Sequence, residues 1–81
     1  MPSKVPNNKK IEKLIQIISK VTKINKNEIN YESKSSNFER WDSLVNVNLM
    51  IEIEKKYKVK IPTSMFESLN SIKKISKFLN L

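Results

Sequence analysis

The chain has 81 residues, enough for one small domain. It contains no Cys and no His, which excludes a disulfide framework and thiolate chemistry and removes the commonest general base and metal ligand. Sixteen Lys and Arg against eight Asp and Glu give a formal net charge of +8, so an anionic partner has to be considered. Gly is also absent, which excludes Gly-rich phosphate loops and leaves any left-handed backbone position to Asn or a similar residue.

The amino-terminal part of the chain predicts a loose arm followed by a helix. We expect residues 1–7 to form a flexible arm and residues 8–81 to form a single domain. From about Asn8 to Lys23 apolar residues recur at helical spacing, with Ile17 as an additional apolar position: Ile11, Leu14, Ile15, Ile18 and Val21. Nothing here resembles a signal peptide, and no apolar stretch approaches the length of a membrane span. We therefore expect a cytoplasmic protein.

A long polar segment, Ile24 to Arg40, follows the first helix. Its apolar residues fit no period: Ile24, Ile29, Tyr31 and Phe38. We expect a long loop that these side chains pin to the core. Loops of this length are uncommon in small domains and are often functional.

The second helix is predicted from about Ser43 to Tyr57. Asp42 suits the N-cap position, because its carboxylate can accept hydrogen bonds from the exposed amides of the first turn. Pro62 disfavours helical backbone at Ile61, so the helix ends within "KVKIP".

Two shorter helices are expected after this break. "TSMFESL" predicts a third helix capped by Thr63 or Ser64, with Ser64 and Glu67 as a capping box. "NSIKKISKFLNL" predicts a fourth helix capped by Asn70 or Ser71. The side chains expected to point inward are Met65, Phe66, Leu69, Ile72, Ile75, Phe78 and Leu79. The expected fold class is therefore all-α, a small four-helix bundle with a long loop between helices 1 and 2.

The predicted second helix carries apolar residues on two faces. At about 100° per residue, one sector forms the core face: Leu49, Met50, Ile53 and Tyr57. The opposite sector holds a mixed set: Leu44, Val47, Asn48, Ile51 and Lys55. A bundle helix needs one buried stripe. The second stripe is either a core contact, in which Leu44 and Val47 close the core against the loop, or an exposed docking patch.

Ser43 opens this second face. A helix N-terminus exposes unpaired amides and the positive end of the dipole, so a phosphate ester on Ser43 would be well placed there. The residues alone leave the alternative open that Ser43 is an ordinary first-turn serine, because Ser is common at helix starts.

"WDSLVNVNLMIEIEKKYKVKIP" resembles the phosphopantetheine attachment region of acyl carrier proteins and peptidyl carrier domains. The matching features are Asp42-Ser43-Leu44 opening the second helix, an apolar Glu-containing helix ending in Tyr57, and the stretch into Pro62. The resemblance extends from about Ile11 to Leu79 and implies a four-helix bundle of acyl-carrier type. Arg40-Trp41 replace the usual Gly, which is similar to a discrete "WDSL" subgroup, and we expect Trp41 to pack in the core.

The resemblance implies that Ser43 is esterified with 4′-phosphopantetheine from coenzyme A, whose thiol holds an acyl or aminoacyl group as a thioester. Asp42 would cap the helix and contribute to the magnesium site of the phosphopantetheinyl transferase. The partners would be this transferase, an acyl- or aminoacyl-loading ligase and a downstream transferase. They would dock on Leu44, Val47, Asn48, Ile51 and Lys55. The carrier would catalyse nothing and bind no metal, nucleic acid or membrane, and we expect a monomer.

The charge departs from the family pattern. Most such carriers are acidic, whereas "KKYKVK" places four Lys within six residues. We therefore expect neutral or acidic partners and a specialised pathway rather than housekeeping fatty-acid synthesis, although the charge also fits the drift of an AT-rich genome. The alternative is a small basic helical domain that binds nucleic acid, but Arg40 is the single arginine and Lys is spread over every segment. A carrier-like module without cofactor is a third interpretation.

Overall fold

The computed structural model describes residues 8–81, which fold into three α-helices and the connections between them. The α-helices are α1 (Asn8–Thr22), α2 (Ser43–Tyr57) and α3 (Ile72–Leu79). The connections contain three short 3₁₀ helices: Lys26–Glu28, Ser35–Asn37 and Thr63–Met65. Within residues 8–81 there is no β-strand, which confirms the all-α class. The predicted flexible arm, residues 1–7, lies outside the described residues.

The core lies between the three helices and follows the predicted apolar spacing. On α1, Ile17 is buried with Ile11, Leu14 and Ile18, so the additional apolar position is a core position. On α2, Leu49, Met50 and Ile53 have no exposed surface, while Tyr57 is half-buried. On α3, Ile72 and Ile75 are buried, whereas Phe78 and Leu79 are half-buried at its outer end. No helix among the described residues is long and apolar enough to cross a membrane.

The long connection between α1 and α2 is held against the core, as its apolar residues predict. Ile24 and Ile29 are buried, and Tyr31 and Phe38 pack against the core from half-buried positions. Its backbone also bonds to the start of α3: Ser35 N–H donates to Asn70 O at 2.8 Å, and Ile72 N–H donates to Ser33 O at 3.2 Å. The middle of the loop therefore lies beside the N-terminus of α3. Ser71 caps that helix by accepting from Lys74 N–H.

The segment after α2 does not form the predicted third α-helix. Thr63–Met65 is a single 3₁₀ turn with Pro62 at its N-cap and no side-chain cap hydrogen bond, so the Ser64–Glu67 capping box does not form. The described residues therefore hold three α-helices instead of the four expected.

Asn46 of α2 binds two carbonyls of the segment that follows this turn. Its Nδ2 donates to Phe66 O at 2.7 Å and to Leu69 O at 3.3 Å. A side chain of α2 therefore satisfies these carbonyls and ties the segment before α3 to the core.

Left-handed backbone ends each of the three α-helices. Asn80 follows α3 with φ 59°, as the absence of glycine predicts. Lys23 and Lys58 follow α1 and α2 with φ 66° and 54°, so the expectation of Asn or a similar residue was wrong at two of these positions. Their N–H groups donate to Ser19 O and Glu54 O, which satisfies carbonyls of the last turn. A lysine there also complements the negative end of the helix dipole.

Candidate functional site

The first turn of α2 is shaped by Asp42. Its Oδ1 accepts from Val45 N–H at 2.9 Å, and its main-chain oxygen accepts from Asn46 N–H at 2.9 Å, which confirms the predicted N-cap. The amides of Ser43 and Leu44 lie at the helix end, where no intrahelical acceptor is available. The Ser43 side chain is exposed. This end of α2 therefore presents a solvent-accessible hydroxyl beside the positive end of a helix dipole.

Trp41 and Asn46 fix this helix end to the core. Trp41 is 1% exposed, as expected for core packing, and its Nε1 donates to Asn46 Oδ1 at 2.8 Å. Because Asn46 also donates to Phe66 O and Leu69 O, one amide joins Trp41, the residue before the N-cap of α2, to the segment before α3. Asn46 was not among the residues predicted for this site. The signal was present, since at 100° per residue Asn46 falls within the core sector of α2, where a polar side chain needs partners.

An open groove of about 980 Å³ runs past Ser43. Its walls are residues 35–39 of the long connection, the first turns of α2, and the segment 66–70. Three carboxylates line it, those of Glu39, Asp42 and Glu67, and no Lys or Arg does. Although the chain has a net charge of +8, the surface around Ser43 is locally acidic. Among the described residues, however, no cluster of three or more potential ligands is arranged to hold a metal ion.

One side of α2 exposes large apolar side chains. Leu44 is 72% exposed, Val47 38% and Ile51 42%, and the polar residues of the same sector are also exposed. We call this surface the outer face of α2, and it consists of Leu44, Val47, Asn48, Ile51 and Lys55. The interpretation in which Leu44 and Val47 close the core against the loop is therefore wrong. Trp41 and Asn46 occupy the interior at this end of α2, and the loop packs through Phe38 instead.

Two ionisable groups with a raised pKa lie outside the groove. A hydrogen bond and ion pair with Glu32, at 2.7 Å, raise the pKa of Lys73 and tie the long connection to α3. Burial raises the pKa of Tyr57, whose ring also lies under Lys13 Nζ at 5.6 Å from its centroid. Both interactions stabilise the scaffold away from Ser43.

A family model described as a phosphopantetheine attachment site matches residues 12–79. The chain belongs to this family of acyl and peptidyl carrier proteins. The match spans nearly the whole predicted resemblance and confirms it, while the nucleic-acid alternative gains no support. Among curated proteins, no sequence matches this carrier. Carrier domains of the family are generally non-catalytic and work with phosphopantetheinyl transferases and acyl-loading or acyl-transferring enzymes.

The group that this family carries is covalent 4′-phosphopantetheine, whose terminal thiol holds the cargo as a thioester. The described residues fit such a group. The α2 N-terminus combines an exposed hydroxyl with helix amides that favour a phosphate, and the groove beside it is open to solvent. The thiol arrives with the group, so a chain without cysteine can take part in thioester chemistry.

Proposed function

We propose that this protein holds an acyl or aminoacyl group on phosphopantetheine attached to Ser43 and presents it to partner enzymes in a specialised biosynthetic pathway. The observation that carries the proposal is the position of Ser43. It is an exposed hydroxyl in the first turn of α2, at the rim of an open groove and inside the family match. By contrast, Ser33, Ser71 and Ser76 are buried.

The residues around Ser43 fix the backbone of the first turn of α2. Asp42 fixes the first turn by its bond to Val45 N–H, and Trp41 anchors the residue before the cap in the core. The dipole of α2 favours a phosphate on Ser43. The resemblance also assigns Asp42 a second role, in which its carboxylate contributes to the magnesium site of the modifying transferase.

The outer face of α2 is the surface on which we expect partners to dock. It starts one residue after Ser43, and its exposed apolar side chains are of the kind that mark binding sites. A tethered cargo reaches each docked partner at high effective concentration, so the carrier itself needs no catalytic group. We expect a monomer that works in the cytoplasm, where coenzyme A supplies the group.

The test is the intact mass of the folded protein after incubation with coenzyme A, magnesium and a broad-specificity phosphopantetheinyl transferase. We expect the wild-type chain to gain one phosphopantetheine and Ser43→Ala to gain none. Ser36→Ala is the matched control, because Ser36 is an exposed serine that lines the same groove, and it should be modified like the wild type. Circular dichroism should show the same helical content for all three proteins.

Modification of Ser43→Ala at the wild-type level would contradict the assignment of Ser43. If an active transferase failed to modify any of the folded proteins, the carrier function itself would be wrong, and a cofactor-free interaction module would become the better interpretation.

A further inference from the structure

The outer face of α2 changes in chemical character along its length. Beside Ser43 it is apolar and adjoins the acidic groove, whereas its far end is Lys55, followed by the exposed Lys58 and Lys60. At roughly 1.5 Å per residue, Lys55 lies about 18 Å along the helix axis from Ser43. The surface is therefore polarised, with negative charge near the attachment position and positive charge one helix length away.

The acidic residues of α2 do not neutralise these lysines. Glu54 accepts from Ile61 N–H at 2.7 Å, which caps the segment after the helix. Glu52 lies 3.9 Å from Lys56 Nζ. Within residues 8–81, Lys55, Lys58 and Lys60 form no ion pair. Lys55 stands one helical turn after Ile51, so an unneutralised cation directly continues the exposed apolar stripe.

We propose that the outer face of α2 binds partner enzymes through an apolar depression bordered by Asp or Glu side chains, with those carboxylates opposite Lys55 and Lys58. This inference rests on the proposed function, because it takes Ser43 as the attachment residue. The contact would place the partner's carboxylates about 18 Å from Ser43, where the partner receives the phosphopantetheine group. Apolar contacts at Leu44 and Ile51 supply the affinity, and the charges at the rim steer and orient the encounter.

The same surface fits a nucleic acid poorly. Phosphates would meet Lys55 and Lys58 at one end, but the rest of the face is apolar and the adjoining groove carries Glu39, Asp42 and Glu67. A phosphate backbone is repelled by such carboxylates and gains nothing from exposed Leu and Ile side chains. An enzyme surface with a mixed apolar and acidic character complements the whole face.

The test measures binding without coenzyme A, so it does not depend on modification of Ser43. The probe is one phosphopantetheinyl transferase in two forms. The basic form is the unaltered enzyme, and in the acidic form the basic residues bordering its carrier-binding surface are replaced with Glu. We expect the wild-type chain to bind the acidic form about fivefold to tenfold more tightly at low salt. The preference should weaken as salt rises.

Charge-reversed variants of the carrier show which lysines cause the preference for the acidic transferase form. Lys55→Glu with Lys58→Glu should reverse the preference between the two transferase forms. The matched control is Lys74→Glu with Lys77→Glu, which has the same change in net charge and the same spacing on α3, and it should keep the wild-type preference. Thermal melts confirm that both variants remain folded.

The proposal would be overturned by equal binding of the two forms, by tighter binding of the basic form, by no binding of either, or by an equal effect of the two charge-reversed pairs. A DNA duplex that binds through Lys55 and Lys58 more tightly than either transferase would overturn it in favour of a nucleic-acid partner. Because this measurement uses unmodified protein without coenzyme A, a failed mass test and a failed charge preference are separate results.

Discussion

At the scale of single residues, the most consequential side chain is Asn46. It is 4% exposed and bonds to the Trp41 indole and to the carbonyls of Phe66 and Leu69. A buried amide that satisfies three other groups is costly to remove, because the Trp41 indole and the Leu69 carbonyl are then left buried without this hydrogen bond. Asn46 therefore controls both the setting of α2 and the path of the chain towards α3.

We expect Asn46→Ala to lower the free energy of unfolding by about 2–4 kcal/mol, since it leaves buried polar groups unpaired and opens a small cavity. The control is Asn48→Ala, which removes the same amide from an exposed position two residues along α2 and should change the stability by less than about 0.5 kcal/mol. Chemical denaturation measures both values. Equal stabilities of the two variants would show that the bonds of Asn46 contribute nothing net.

Tyr57 is the second residue for which we predict an effect on stability. Its buried hydroxyl has no hydrogen-bond partner among the described residues. Burial raises the pKa of Tyr57 above its ordinary value of 10.0. A raised folded-state pKa stabilises the fold below the unfolded value, and this contribution is lost as the pH rises through the folded value. Tyr57 therefore makes the fold weaker in alkaline solution.

We expect Tyr57→Phe to leave the stability at about pH 7 unchanged or to raise it by up to about 1 kcal/mol, since it removes an unpaired polar atom. It should also reduce the loss of stability between about pH 9 and pH 11. Tyr31→Phe is the control for a half-buried tyrosine. Urea denaturation across this pH range measures the free energy of unfolding of each variant. A strongly destabilised Tyr57→Phe would mean that the hydroxyl has a partner in solution.

At the level of secondary-structure elements, α2 has one face that packs in the core and another that is exposed. Leu49, Met50 and Ile53 fill the core, while Leu44, Val47 and Ile51 remain exposed. Helical periodicity predicted both faces, because the period is a property of α2 itself. It left open whether the second face is covered, since this depends on packing by distant residues.

Ile51→Glu separates docking from stability. Ile51 is 42% exposed, so we expect the melting temperature to change little, while kcat/KM for modification by the transferase falls about tenfold. Ile53→Glu is the matched contrast, because Ile53 is fully buried two residues away and the same charge there should prevent folding. A large loss of stability in Ile51→Glu, or an unchanged rate, would contradict the role of the outer face.

The predicted third helix failed for a reason at the same scale. "TSMFESL" has the local pattern of a capped helix, but it forms a single 3₁₀ turn, and Asn46, 20 residues earlier than Phe66, binds the carbonyls of Phe66 and Leu69. The longer α1 and α2 were predicted to within about one residue at each end, because their periods extend over four turns. Short elements have few internal bonds, so their form is decided by tertiary contacts.

At the scale of the whole molecule, the sequence predicted the family but not the distribution of charge. The resemblance from about Ile11 to Leu79 agrees with the family match over residues 12–79. The acidic groove was not predicted, because Glu39, Asp42 and Glu67 come from separate segments that only the fold brings together. The separation of this groove from the lysines at the end of α2 is likewise a property of the folded chain.

Peptide mapping shows which residue carries the phosphopantetheine and therefore tests its attachment to Ser43. Cleavage after Arg40 and Lys55 releases residues 41–55, in which Ser43 is the single hydroxyl-bearing residue. The neighbouring peptide, residues 35–40, carries Ser35 and Ser36. After incubation with the transferase and coenzyme A, tandem mass spectrometry should find the added group on residues 41–55. Finding the group on residues 35–40, or on any other peptide, would contradict attachment at Ser43.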